Sequence, residues 1–119
     1  SVVFCSSVAA NLGLANHEAI AAAKAGLIGL ARAAAATHLR RRIRFHCVAP
    51  ALVDSRMTAS LLERAGMRDA AAKQNPSGRI GTPDDVARAL EFLLDPANDW
   101  IDGQVLGVDG GFGVLRGLS

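Results

Sequence analysis

The chain has 119 residues, half of them apolar and a fifth charged, with a formal net charge of +2. That is room for one small domain and not for two, in a composition typical of globular chains, with too little charge to argue for a nucleic-acid partner. Lys24, Arg32 and the cluster Arg40, Arg41, Arg42 and Arg44 interrupt every apolar stretch before it reaches about 18 consecutive residues, so no membrane span is expected, and no secretion signal is read in the opening residues.

Val2 to Cys5 is a short apolar run rich in β-branched residues and predicts a strand buried on both faces. From Asn16 to Leu39 alanine and leucine dominate, which predicts the longest helix, with Asn16 as N-cap and Glu18 in the first turn. Its apolar residues surround most of the circumference, so it must be covered on more than one side. The arginine cluster that follows places cations at the negative end of the helix dipole.

Ile43 to Val48 predicts a second strand that Pro50 stops. Met57 to Ala72 has weak helical spacing, and Asn75-Pro76-Ser77-Gly78 reads as a turn. Thr82-Pro83-Asp84-Asp85 opens a further helix with a capping hydroxyl, proline at the first helical position and carboxylates in the first turn, ending near Leu94 before Pro96. Helix capping accounts for Asp84 and Asp85, and no metal site is expected. Gln104 to Val108 predicts the third strand, and the glycine-dense stretch from Gly107 to Gly113 lacks both phosphate-binding spacing and a following helix, so it reads as a tail.

Strands alternating with helical crossovers give an α/β fold: three parallel strands with flanking helices, the carboxyl-terminal part of a Rossmann-like doubly wound sheet. So small a sheet leaves a long hydrophobic edge bare at its first strand, and the chain begins without methionine. The expectation is therefore a single incomplete domain, 1–119. Cys5 and Cys47 both fall in predicted strands, where isolated thiols behave as small buried hydrophobes, and a reducing cytoplasm is the expected compartment.

In open α/β sheets ligands sit at the carboxyl ends of the strands. Here those ends carry Cys5-Ser6-Ser7, Ala49-Pro50-Ala51-Leu52-Val53-Asp54-Ser55 and Asp109-Gly110-Gly111. His17, Ile20 and Lys24 share one stripe of the first helix. Five segments, Cys5 to Ala10, Ala21 to Gly26, Ile43 to Pro50, Gly78 to Ala87 and Gly103 to Gly111, resemble in order the signatures of the short-chain dehydrogenase/reductase family.

The resemblance implies an NAD- or NADP-dependent oxidoreductase acting on a carbonyl or alcohol of a small molecule. Ser7 falls where the family's serine polarises the substrate carbonyl, and Lys24 where its lysine holds the nicotinamide ribose. The catalytic tyrosine position is Ile20, and the chain contains no tyrosine. An isoleucine supplies no proton, so His17, one turn earlier, is the candidate substitute. Pro50 and Ala51 stand where the family has proline-glycine, Val53 where a backbone meets the nicotinamide carboxamide, and Ser55 where a threonine lies near the phosphates. Family members commonly pair through the long helix, which implies a homo-oligomer through residues 16–39. The alternative is a catalytically lapsed member serving as a dinucleotide-binding or oligomerisation module.

Overall fold

The computed structural model describes residues 1–117. Three strands, β1 (Val2–Cys5), β2 (Phe45–Pro50) and β3 (Val105–Val108), form one parallel sheet in that order. Val2 pairs with Phe45 through Cys5 with Val48, and Cys47 with Val105 through Pro50 with Val108. The crossovers contain α1 (Glu18–His38) between the first two strands, then α2 (Ala59–Leu62), α3 (Met67–Gln74) and α4 (Pro83–Leu94) between the last two. This is the α/β arrangement expected.

The pleat of β2 separates two faces. Cys47 turns to α1, where it joins Ile28 and Ala31 with Phe4, Phe45 and Val105 packed around them. Burial pushes the Cys47 thiol up from its ordinary value, and that thiol donates to the carbonyl of Leu27 at 3.6 Å. The alternate residues Arg44, His46 and Val48 lie on the other face and are buried, as is Leu93 of α4.

Several element boundaries differ from those expected. Asn16 does not cap α1: it lies in the left-handed region (φ 62°), His17 occupies the N-cap without a side-chain bond, and the helix starts at Glu18. The second strand begins at Phe45 rather than Ile43, opposite Val2, where β1 itself starts; the carbonyl of Arg44 still accepts from the Val2 amide at 2.8 Å, while its guanidinium donates to the carbonyls of Asn98 (2.6 Å), Asp95 (3.0 Å) and Ile101 (3.3 Å). That arginine therefore serves the carbonyls beyond α4, not the dipole of α1. Pro50 is the strand's last residue instead of its stop. Its missing N–H costs no ladder bond there, since β1 has already ended opposite Val48.

Cys5 is exposed, contrary to expectation, because it is the last residue of an edge strand. The rest of β1 is half-buried rather than covered on both faces. The weakly helical stretch resolves into α2 and α3, broken at Gly66 with φ 75°. The fourth helix is as expected: Thr82 and Asp85 form a reciprocal capping box around Pro83. The helical stretch Glu18–Arg41 is long and apolar enough, by length and composition, to match a membrane span. In the fold, its Ile28, Ala31 and Ala35 are the side that packs on the sheet.

Candidate active site

The site is built where β1 ends and α1 begins. After Cys5 the chain turns sharply, and Ser7, in extended backbone, caps a short 3-10 turn over Val8–Ala10 by accepting from the amide of Ala9 at 3.1 Å. A hydroxyl that only accepts here keeps its own O–H free to donate. Ser6 is buried, and its hydroxyl donates to the carbonyl of Lys24 at 2.9 Å. In return the Lys24 ammonium donates to the carbonyl of Cys5 at 2.8 Å. Two bonds thus close one gap between the strand end and the second turn of α1, and the lysine is drawn to the backbone immediately before Ser7. An ammonium has three donors, so two of them are left for a ligand.

Ile20 lies one turn nearer the helix start and is 44 % exposed. Its alkyl side chain offers no donor where the stripe faces outward. His17 is exposed, with its Nδ1 2.7 Å from the carbonyl of Ala15. A carbonyl can only accept, so Nδ1 carries the proton and Nε2 is left to exchange one with solvent or a ligand.

The loop after β2 is the second wall. Leu52 and Asp54 bond to Gly81 on either side of an isolated parallel bridge between Val53 and Gly81: the Gly81 amide donates to Leu52 (3.0 Å) and the Asp54 amide to Gly81 (2.9 Å). The segments approach so closely that a Cβ on residue 81 would lie 3.2 Å from the Val53 side chain, which explains glycine there. The Val53 amide has no hydrogen-bond partner among the described residues and is available to a ligand. Pro50 and Ala51 are half-buried beside it. Ser55 is engaged locally. Its amide donates to Thr58 Oγ1 at 3.0 Å and its hydroxyl lies 3.3 Å from the same atom, so it is held in a local turn.

Further residues border the site. The Asp109 carboxylate accepts from the amides of Gly111 and Gly113, both at 2.9 Å, and the Asn75 side chain donates to the Asp109 carbonyl at 2.8 Å. The glycine-dense segment is therefore an ordered turn and not a loose tail. Asp followed by glycines at this spacing is an Asx-turn signal that could have been read. The Arg79 guanidinium grips Asp85 with two bonds of 2.7 and 3.1 Å and, with the Thr82 amide, holds that carboxyl well below the usual carboxylate range. Two cavities adjoin these loops. One, of about 340 Å³, lies between Ala51, Arg79, Arg88 and Asp109; the other, of about 770 Å³, lies between the loop after Ser7, the end of α3 and the segment after β3.

Residues 1–113 match the family described as enoyl-(acyl carrier protein) reductase. A tropinone reductase homolog of Arabidopsis thaliana is 39 % identical over 119 residues, all of this chain and 45 % of the relative. A 3-oxoacyl-[acyl-carrier-protein] reductase of Thermotoga maritima is 39 % identical over 111 residues, covering 93 % of this chain and 44 % of that one. The solved structure of ElxO with NADP bound superimposes with a TM-score of 0.87 at 27 % identity, over 94 % of this chain and 46 % of that chain. The chain thus spans a little under half the length of the proteins it matches.

Proposed function

Because the chain belongs to the short-chain dehydrogenase/reductase family, we propose that it forms the carboxyl-terminal part of a Rossmann-like domain whose complete form uses NAD or NADP to interconvert a carbonyl and an alcohol on a small molecule. Support comes from the meeting of Lys24 with the Ser6-Ser7 turn at the end of β1, the lysine tied to the Cys5 carbonyl. Ser7 donates its free O–H to the substrate oxygen and so stabilises the charge that develops there. Lys24 holds the nicotinamide ribose with its remaining donors. The unpartnered Val53 amide meets the carboxamide beside Pro50 and Ala51. When bound, the nicotinamide supplies or accepts the hydride. Ser55 fits its assigned phosphate contact least well, since its polar groups are engaged with Thr58.

One observation favours a second reading. Ile20 supplies no proton to the alkoxide, and a lapsed member would bind the dinucleotide without turning over. Pairing of two copies through the outward side of α1, where Leu30 is 52 % exposed, and a cytoplasmic location belong to the same proposal.

The test uses the full-length polypeptide that carries this segment. Titration with NADH and NADPH, followed by their oxidation against a panel of ketones and aldehydes, is expected to give binding and turnover. Binding without turnover on any carbonyl, with turnover appearing in Ile20→Tyr, would establish the lapsed member instead. Binding of neither cofactor would overturn both readings.

A further inference from the structure

The larger cavity carries a charge pattern that the proposed chemistry does not require. Its apolar walls come from Leu12 and Leu14, in the loop that leads from the Ser7 turn to α1, and from Phe112 and Leu115, after β3. Two cations, Lys73 and Arg116, belong to its lining, and among the described residues no aspartate or glutamate lines it. Its volume of about 770 Å³ falls within the roughly 300–1,000 Å³ of small-molecule sites.

The smaller cavity is different. Its two arginines, Arg79 and Arg88, are matched by two carboxylates in the same lining, Asp85, which both arginines approach, and Asp109, so its lining carries no net positive charge. In the larger cavity Lys73 has no hydrogen-bond or ion-pair partner among the described residues. Arg116 uses one nitrogen on its neighbour's carbonyl, Leu115 O at 2.7 Å. A lysine in the last turn of α3 also complements that helix's dipole. Arg116 lies in no helix, and dipole complementarity does not explain why both cations border one apolar hollow.

We propose that this cavity is the substrate pocket and that it selects molecules with an apolar body ending in an anionic group, which Lys73 and Arg116 meet while Leu12, Leu14, Phe112 and Leu115 enclose the body. The proposal rests on the oxidoreductase reading for its link to catalysis, through the loop that begins at Ser7. Binding, however, is measured separately from turnover. An anion pairs with guanidinium and ammonium donors more strongly than a neutral ester does. Discrimination of about tenfold or more follows from one or two charge-assisted bonds.

Octanoate, octyl phosphate and methyl octanoate are titrated calorimetrically into the full-length polypeptide and into Lys73→Glu/Arg116→Glu. Both anions are expected to bind about tenfold or more tightly than the ester, with affinity falling as salt rises, and the double variant to lose that preference while its ester affinity stays within about twofold. Preference for one anion over the other identifies which head group the pocket takes. Equal binding of ester and anions, binding of none, or a preference unchanged in the double variant overturns the proposal. Selective binding with no turnover of any oxo-acid leaves the pocket standing and removes the redox reading. Turnover of neutral ketones with no preference for anions does the reverse.

Discussion

The paired bonds between Ser6 and Lys24 make a quantitative prediction. Ser6→Ala removes a buried hydroxyl that donates to the Lys24 carbonyl at 2.9 Å. That carbonyl lies inside α1 and keeps its helical partner, so no orphaned acceptor is left, and the loss is the net value of one neutral hydrogen bond, about 1 kcal/mol. Lys24→Met removes the 2.8 Å bond to Cys5 O. That bond is solvent-exposed, and its loss costs about 0.5 kcal/mol. Both bonds close the same gap, so either one holds the groups of the other in place. Cutting one therefore also weakens the second, so each single variant should lose more than its own bond is worth, and the double variant, at about 1.5 kcal/mol, should lose less than the two singles together by at least about 0.5 kcal/mol. Urea unfolding of the full-length polypeptide and its three variants, with equal m-values required, measures the cycle. Additivity within about 0.3 kcal/mol would show that the bonds are independent and that Ser6 does not position the lysine.

The fully buried His46 has no hydrogen-bond partner on either ring nitrogen among the described residues. Desolvation, reinforced by Arg44 and opposed by Asp102, depresses its pKa. The imidazole is neutral in both states above about pH 6.5, and below it the unfolded chain binds a proton that the folded chain resists. Stability should thus fall as pH drops from 6.5, by at most about 1.4 kcal/mol per pH unit from this group, and His46→Leu should flatten that slope in acid unfolding. An unchanged slope would exclude His46 as its source. Asp85 acts in the same direction at lower pH: its depressed pKa contributes stability above the unfolded value of about 4 that is lost on further acidification, and Asp85→Asn should remove that loss. Ile20→Tyr should raise turnover by about 10² to 10⁴ if only the proton donor is missing; if the wild type is already active, His17→Ala should abolish its activity, and retention of full activity would clear His17. Residues 1–119 alone should show no nicotinamide-cofactor binding by calorimetry, because no glycine-rich turn opening a helix is present to hold the pyrophosphate; micromolar affinity would refute this.

The elements legible in the sequence were those fixed by local physics. Val2 to Cys5 is β-branched and apolar, and Thr82-Pro83-Asp84-Asp85 carries a cap, a preset φ and carboxylates in consecutive positions, so both were located to the residue. Boundaries set by distant partners were not legible. Arg44 reads as part of a strand and of a basic cluster, and only the carbonyls of Asp95, Asn98 and Ile101, more than 50 residues on, show where its guanidinium goes. Asn16 carries the usual capping side chain, yet its backbone lies in the left-handed region and His17 takes the N-cap position.

The candidate site divides along the same line. Ser7 and Lys24 are singled out by the family resemblance, but Ser6 is not, because its part depends on a carbonyl 18 residues away. The rim of the larger cavity was still harder to see: Lys73 and Arg116 lie 43 positions apart in weakly patterned segments. This distribution has a physical reason. Groups that act on a reacting atom must sit at strand ends, where topology concentrates them, whereas groups that choose among substrates can come from any loop that borders the opening. Sequence order therefore reveals the chemistry a parallel sheet can support before it reveals what that chemistry is performed on, and the selecting residues emerge only when the loops are seen together.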